Sequence, residues 1–468
     1  MLSNLIARLT GAMRPAAQVH YDEHVHRALR EVRACDSLEP LIGYLGHYNG
    51  YVREAAIGRA VELGAPALLP ALVARLNDWV PTIRDKARDA VLALLGKLDP
   101  DRDAGAAMQL LVDVEWLKKT RRSDHAAWIA AFEQRLVQVL GADRILAAID
   151  IKQGRVPQLA FVLVRTYALA DPFTLCQRAL ANQGNFALAR QAMDLARSLD
   201  DAGQERIYRQ ALDAPVGIVR ADALRALLRS DPEPAALAAS MLADANTWVR
   251  LVAIGCLAKL GVDVPGRYAE RIAVAGTDER VLRACLSGLA EAGGAAQLGL
   301  VRDYTVYPNA RVQIAALLAW LQLAPGDKDD IARHVLRSPY PRVRKLFPTL
   351  VRFGAYVPID AAISSMRGHG DYAQMLAFAQ GAPWTMLEVM AMIAADTGGD
   401  ADLRHRLVRD LDGWSYSPMI GYAKPTAQQR AFLCQDTVRQ TLLGLLQDTP
   451  GTQRMLALEL DSLQARSG

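Results

Sequence analysis

Apolar residues recur along this chain in a helical pattern that itself repeats about every 31 residues. Val249, Ala253, Leu257 and Leu260 stand at i, i+4, i+8 and i+11, which places them on one face of an α-helix. We call the first aliphatic residue of each such stripe its reference position. The reference positions are Val52, Ile83, Val156, Leu188, Val219, Val249, Val281, Val312 and Val343.

The spacing between these positions indicates the fold. From residue 156 onward, consecutive reference positions are 30 to 32 residues apart, and a fixed period of this size is typical of stacked supersecondary units. A shorter apolar stretch precedes the stripes, as at 67–76 and 235–242. We therefore predict an all-α fold, an α-solenoid built as a superhelix of antiparallel helical hairpins with about 31 residues per repeat.

The ends of the predicted helices carry recurring residue types. Glycines follow several stripes, where a left-handed C-cap is needed; they are Gly64, Gly96, Gly261, Gly293 and Gly354. Aspartates precede several second helices, namely Asp78, Asp213, Asp244 and Asp278. Such an Asp can accept from free backbone N–H groups and can also face an Arg of its own or the adjacent unit. We interpret these pairs as contacts that hold the hairpins together, not as a catalytic array.

The regularity divides the chain into five predicted segments. They are an N-terminal helical cap (1–36), HEAT-like repeats (37–100), an irregular helical pair with a basic insertion (101–150), further repeats (151–358) and an atypical helical C-terminal cap (359–468). Leu2, Leu5, Ile6, Leu9 and Met13 stand at helical spacing. They predict a helix that covers the end of the solenoid, with a membrane-surface or partner-binding helix as the alternative.

One unit carries a recognisable consensus. Residues 242–261 read Leu-x-Asp-x4-Val-Arg-x2-Ala and end in Leu-Gly. This pattern resembles the HEAT family, particularly the short HEAT-like repeats also found in phycobilin lyases, and it covers over half of the chain. The resemblance implies a scaffold whose curved helical surface binds proteins and sometimes nucleic acids. It therefore favours a non-catalytic adaptor that binds one or more protein partners.

Composition agrees with this interpretation. Apolar residues make up 51% of the chain and aromatic residues only 6%, and the prominence of Ala and Leu favours helices over sheets. The net charge of +4 is too small for a general nucleic-acid coating. The five cysteines form no CxxC pair, and no apolar run is long enough for a signal sequence or a membrane span. These features predict a cytoplasmic protein without integral membrane association.

Aromatic and Arg side chains supply the candidate partner-binding residues, because such side chains anchor most protein interfaces. The candidates are Trp79, Trp248, Arg250, Arg344, Lys345, Trp414 and Tyr416. Residues 413–422 are aromatic and apolar where loops are normally polar. That segment is either a binding loop or part of the cap over the end of the solenoid.

Two basic stretches support an alternative function. The first holds Lys118, Lys119, Arg121 and Arg122, and the second, at 331–358, holds Arg333, Arg337, Arg342 and Arg352 and no acidic residue. Both would attract phosphate backbones or an acidic protein segment, unless they are ordinary solvated helix faces. The alternative is a nucleic-acid-binding protein, even a DNA glycosylase-like enzyme, since HEAT-type alkylpurine DNA glycosylases hold duplex DNA on a basic surface.

Catalytic and metal motifs are sparse. His20, His24 and His26 form the only histidine cluster, and we interpret it as an exposed polar helix face instead of a metal site. None of the eight histidines precedes a Glu, which excludes the iron-binding dipeptides of HEAT-type deoxyhypusine hydroxylases. The chain has no P-loop, G-x-G-x-x-G or G-x-S-x-G motif. We therefore predict no cofactor, and the sequence leaves the oligomeric state open.

Overall fold

The computed structural model describes residues 23–120, 123–182, 184–397, 400–417, 420 and 422–465. Every regular element in these ranges is a helix, and they contain no strand. The predicted all-α fold is confirmed. The chain divides into two compact units, residues 1–238 and 239–468, and the division falls inside the predicted repeat segment 151–358.

The first unit begins with α1 (23–33). Its other helices are α2 (Leu38–Leu45), α3 (Gly50–Leu63), α4 (Leu69–Val73), α5 (Pro81–Leu95), α6 (Pro100–Glu115), α7 (Ala126–Ala147), α8 (Val156–Thr166), α9 (Pro172–Ala181), α10 (Phe186–Ala196), α11 (Asp201–Ala211) and α12 (Gly217–Leu227). Short 3-10 turns lie at Pro66–Leu68, Trp116–Lys119 and Ala148–Asp150. The boundary between the units lies within α13 (Pro234–Met241).

The second unit is likewise built of helices. They are α14 (Thr247–Lys259), α15 (Val264–Val274), α16 (Glu279–Glu291), α17 (Leu298–Asp303), α18 (Ala310–Leu323), α19 (Lys328–Arg337), α20 (Pro341–Arg344), α21 (Phe347–Arg352), α22 (Ile359–Gly368), α23 (Tyr372–Ala379), α24 (Pro383–Asp396), α25 (Ala401–Ser415), α26 (Ala427–Leu433), α27 (Asp436–Leu445) and α28 (Pro450–Ala465). Further 3-10 turns lie at Ala295–Gln297, Tyr304–Val306 and Pro325–Asp327.

The reference positions form the core between stacked helices. Eight of the nine side chains are buried, and at the ninth the half-buried Val281 precedes the fully buried Leu282. In the first unit α3 contacts α5, and α10 contacts α12. In the second unit α16 contacts both α14 and α18, and α18 contacts α20. Second helices of successive hairpins therefore pack side by side, as predicted for an α-solenoid.

Four of the five predicted glycine caps are confirmed. Gly64, Gly261, Gly293 and Gly354 have φ angles of 63°, 73°, 77° and 82°, a region that L side chains rarely adopt. The prediction for Gly96 is wrong, because its φ is −69°. There the chain leaves the helix through a right-handed turn, in which the Lys97 N–H donates to the Leu94 carbonyl at 3.0 Å.

Some predicted helix positions need correction. Leu260 is half-exposed, not buried, because α14 ends at Lys259. The helix predicted near 428–446 is two helices, α26 and α27, and α28 follows them. The long helix predicted at 126–140 is confirmed, since Gly141 interrupts α7 with a φ of 76°. The helix predicted at 2–13 lies outside the described residues.

Two further features concern the described residues as a whole. No helix among them is long and apolar enough to cross a membrane. They also contain no group of three or more His, Cys, Asp or Glu side chains able to hold a metal ion. Of the histidine cluster, His24 and His26 are exposed on α1, and His20 lies outside the described residues.

Candidate interaction surface

The residue after the reference position is often Arg, and its side chain folds back onto the turn that joins the two helices. In five repeats its Nη1 donates to the carbonyl six residues earlier, at 2.7 to 2.8 Å; the pairs are Arg53–His47, Arg84–Asp78, Arg220–Ala214, Arg250–Asp244 and Arg344–Ser338. Gln313 replaces Arg in one repeat and donates to Tyr307 O at 2.9 Å. The recurrent Arg therefore satisfies a turn carbonyl that has no helical partner.

Three of these arginines are buried and paired with carboxylates. Arg250 forms a bidentate pair with Glu291, with Nε–Oε2 and Nη2–Oε1 distances of 2.8 and 2.5 Å. Arg344 forms a similar bidentate pair with Asp371. A partner could reach these guanidinium groups only by opening a buried ion pair, which costs several kcal/mol. Arg250 and Arg344, although predicted as partner-binding residues, therefore lie outside the surface that we propose.

Three of the aspartates predicted to precede second helices accept from backbone N–H groups, and one of them, Asp78, also pairs with an Arg. Asp78 accepts from the Val80 N–H and from Arg53 of the preceding repeat, both at 3.0 Å. Asp278 caps α16 by accepting from two backbone N–H groups. Asp244 accepts from the Asn246 N–H at 2.7 Å. The interpretation of Asp and Arg as contacts within and between hairpins agrees with these bonds.

The predicted aromatic anchors divide into exposed and buried side chains. Trp79, Trp248 and Tyr416 expose 68%, 59% and 69% of their surface. Trp414 is buried, because its ring packs edge-on against Trp384 and its Nε1 donates to Pro383 O at 2.6 Å. Within the segment at 413–422, Trp414 therefore belongs to the core around α24, whereas Tyr422 is exposed.

The basic insertion is partly neutralised. Lys118 lies 3.4 Å from Glu115 and 3.7 Å from Glu133. Lys119 is exposed, and Arg121 and Arg122 lie outside the described residues.

The basic stretch at 331–358 does not form one strip. Arg333 and Arg337 project from α19, the first helix of its hairpin, and Arg333 pairs with Asp330 at 2.7 Å. Arg342 and Lys345 are exposed at α20, in the second helix, and Arg352 is exposed at the end of α21. Neighbours in sequence are thus divided between two helices of the hairpin.

A different set of cations emerges when the repeats are aligned. Residues one before and two after the reference position lie on one helix face with the residue six after it, at i, i+3 and i+7. In residues 239–468 these positions hold cations at Arg280, Arg283, Arg311, Arg342 and Lys345, which we call the cationic row. Arg283 is half-buried and the other four are exposed. The row follows α16, α18 and α20, which pack side by side.

Apolar side chains occupy the remaining large positions of this face. Trp248 and Leu251 stand at the corresponding places on α14, and Leu318 stands on α18. They expose 59%, 38% and 48% of their surface. None of the positions at −1, +2 and +6 in these four repeats is acidic. Glu279 lies beside the row, and its carboxylate accepts from Asn309 Nδ2 at 2.7 Å.

The placement of one of these arginines, Arg311, opposes local helix electrostatics. Arg280, Arg311 and Arg342 are each the second residue of their helix, where the positive end of the helix dipole disfavours a cation by about 0.3–1 kcal/mol. In α18 no acidic residue in the first turn offsets this cost, whereas Asp278 and Glu279 offset it in α16 and α20 is a single turn of four residues. Residues that oppose a local preference in this way are typical of functional positions.

Sequence reasoning missed Arg280, Arg283 and Arg311. Each lies on a helix with few other cations, so a scan for contiguous basic runs passes over them. The signal was nevertheless in the sequence, because Arg280, Arg311 and Arg342 each stand one residue before a reference position. The row becomes visible when exposed residues at equivalent positions of successive repeats are compared.

The buried thiols offer no nucleophile. Burial raises the pKa of Cys176 to about 12 and that of Cys285 to about 11. Both thiols therefore stay protonated at neutral pH, and the thiolate is the reactive form. They serve as small core residues.

Comparisons with known proteins give little further information. No family model matches the chain, and no curated protein matches it. One similar chain comes from a solved structure concerning a phosphorylation switch that controls the interaction between cadherin and beta-catenin. It is 15% identical over 94% of this chain and 96% of the other, with a TM-score of 0.18. At that TM-score the likeness carries no argument about fold or function.

Proposed function

We propose that this protein is a non-catalytic, HEAT-like adaptor that binds one or more protein partners on the exposed face of its second helices in residues 239–468. The observation that carries the proposal is the cationic row with its apolar neighbours. Trp248, Leu251 and Leu318 supply contact area, and the exposed cations select the partner and speed its association. Because the face is built on packed helices, little ordering is needed on binding.

Nucleic-acid binding, with or without glycosylase activity, is the second candidate. The five cations of the row favour it, since phosphate groups would be attracted there. The apolar side chains beside them argue against it, as does the net charge of the whole chain, which is only +4. Lys118 also has acidic neighbours.

Native affinity purification of the full chain from its source cell separates these candidates. The preparation is split into nuclease-treated and untreated halves and examined by mass spectrometry and by the 260/280 nm absorbance ratio. An adaptor retains a stoichiometric protein partner after nuclease treatment. Co-purifying nucleic acid that nuclease removes, without a stable protein partner, would contradict the proposal and would call for glycosylase assays.

A further inference from the structure

We propose that the partner segment is an extended acidic peptide that crosses α14, α16, α18 and α20 along the cationic row, with an apolar side chain at the end that contacts Trp248 and Leu251. This inference rests on the proposed function and names the chemistry of its partner. The charge of the row selects an acidic segment, and the apolar residues on α14 select an uncharged end.

The spacing of the row sets the register of the peptide. Packed helices lie about 8–10 Å apart, and Arg280, Arg311 and Arg342 hold the same position on successive second helices. An extended chain rises about 3.3 Å per residue, so about three peptide residues separate neighbouring cations. A matching segment carries an acidic residue at about every third position over about ten residues.

The row is available for such a segment. Arg280, Arg311 and Arg342 are exposed, and none of them forms an ion pair within the part of the chain that the structure describes. Two exposed arginines of first helices differ in this respect, since Arg267 lies 3.4 Å from Glu270 and Arg333 lies 2.7 Å from Asp330. An acidic peptide would also offset the unfavourable placement of Arg311 at the N-terminus of α18.

Fluorescence anisotropy with the full chain tests the proposal. The first probe is a fluorescein-labelled 13-residue peptide with a Phe-Leu pair at one end and Glu at every third position, separated by Ser and Gly. The second probe has the same composition with its Glu residues contiguous, and the third has Gln in place of Glu. We expect the first to bind most tightly and the third to bind more weakly by on the order of tenfold.

The row variant is Arg280→Glu/Arg311→Glu/Arg342→Glu, and we expect it to lose binding of the first probe by on the order of tenfold or more. Glu is favourable at a helix N-terminus, so this variant should unfold at the same or a slightly higher temperature. The matched control, Arg267→Glu/Arg333→Glu/Arg337→Glu, changes the net charge equally on first helices. It should bind the first probe as the unmodified chain does.

Three outcomes would overturn the inference. They are equal binding by the row variant and the control, equal binding of the spaced and contiguous peptides, and tighter binding of a 12-nucleotide single-stranded DNA than of the spaced peptide. If the row variant still retains the same native protein partner after nuclease treatment, the adaptor function stands and only the row is wrong. If native purification of the unmodified chain yields no stable protein partner, the proposed function itself is contradicted.

Discussion

The two units of the molecule share their buried positions and differ at the exposed ones. At −1, +2 and +6 from the reference position, residues 239–468 hold five cations and no carboxylate. The same positions in residues 1–238 hold three cations and four carboxylates, namely Arg155, Arg190, Arg225, Glu54, Asp85, Asp89 and Asp194. Core packing and turn contacts are common to both units, so folding does not require the difference.

Turn arginines show how alike the structural positions are. Arg53 in the first unit and Arg250 in the second are both buried, both paired with a carboxylate and both bonded to a turn carbonyl. Exposed positions such as Thr82 and Arg311 have no such constraint. We conclude that the repeat constrains the buried positions and leaves the exposed positions free to vary.

The largest expected effect breaks a buried pair. Arg250→Ala leaves the Glu291 carboxylate buried without its partner, and we expect a loss of about 3–5 kcal/mol in the free energy of unfolding. Arg84→Ala removes bonds to the Asp78 and Trp79 carbonyls only and should cost about 1 kcal/mol. Urea unfolding followed by circular dichroism measures both. Equal losses would contradict the distinction between paired and unpaired turn arginines.

The next effect concerns a position where the repeats differ inside the core. Gly288 packs against buried Tyr268, and an added Cβ would lie 2.3 Å from the Tyr268 Cζ. The residue at the same repeat position is Ala90 in one repeat and Ala226 in another. We expect Gly288→Ala to cost about 1–3 kcal/mol, measured by thermal unfolding. If a second change, Tyr268→Leu, restores the lost stability, the ring is the cause of the loss. If stability is not restored, the packing explanation is wrong.

A third prediction tests whether charge matters only in the second unit. Arg311→Glu alone should weaken binding of the spaced peptide several-fold, or about 1 kcal/mol. Asp85→Arg/Asp89→Arg, which adds cations to the first unit at corresponding positions, should leave the affinity unchanged at physiological salt, because in this proposal the peptide contacts residues of the second unit alone. Anisotropy titrations measure both variants. A gain from the Asp85 and Asp89 changes would show that the peptide responds to general charge.

The smallest expected effect on stability distinguishes two glycines, both of which the sequence predicted as left-handed helix caps. Gly64→Ala forces a side chain into the left-handed region and should cost about 1 kcal/mol. Gly96 has ordinary helical φ, and the atom nearest an added Cβ is the flexible end of Arg135. Gly96→Ala should therefore change the unfolding temperature little. If the two variants unfold at the same temperature, the two caps do not differ in geometry as described.

Buried positions were the easiest to predict. The 31-residue period identified the helical hairpins, and eight of the nine reference side chains that it picked out are buried, because burial is set by local spacing. Helix ends were harder, since Leu260 and Gly96 depend on where a helix stops. The prediction of one long helix near 428–446 is wrong for the same reason, because α26 stops at a turn around Cys434 before α27 begins.

The candidate surface was predicted only in part. Trp248, Arg342 and Lys345 were found as single residues, and they are exposed on second helices. Arg250 and Arg344 are buried in ion pairs and therefore do not belong to the surface. The sequence did not reveal these pairs, because the acidic partners lie 41 and 27 residues away. Arg280 and Arg311 were missed, since a row across stacked helices becomes visible only when exposed positions are compared between repeats.

Site-specific photo-crosslinking tests directly whether the partner binds to the second unit. Leu318 and Asp89 stand six residues after their reference positions, one in each unit, and both are exposed. Each is replaced in turn by benzoyl-phenylalanine, and the full chain is irradiated in an extract of its source cell. We expect a discrete protein adduct from position 318 and none from position 89. An adduct from position 89 alone, or equal adducts from both, would contradict the assignment of the surface to the second unit.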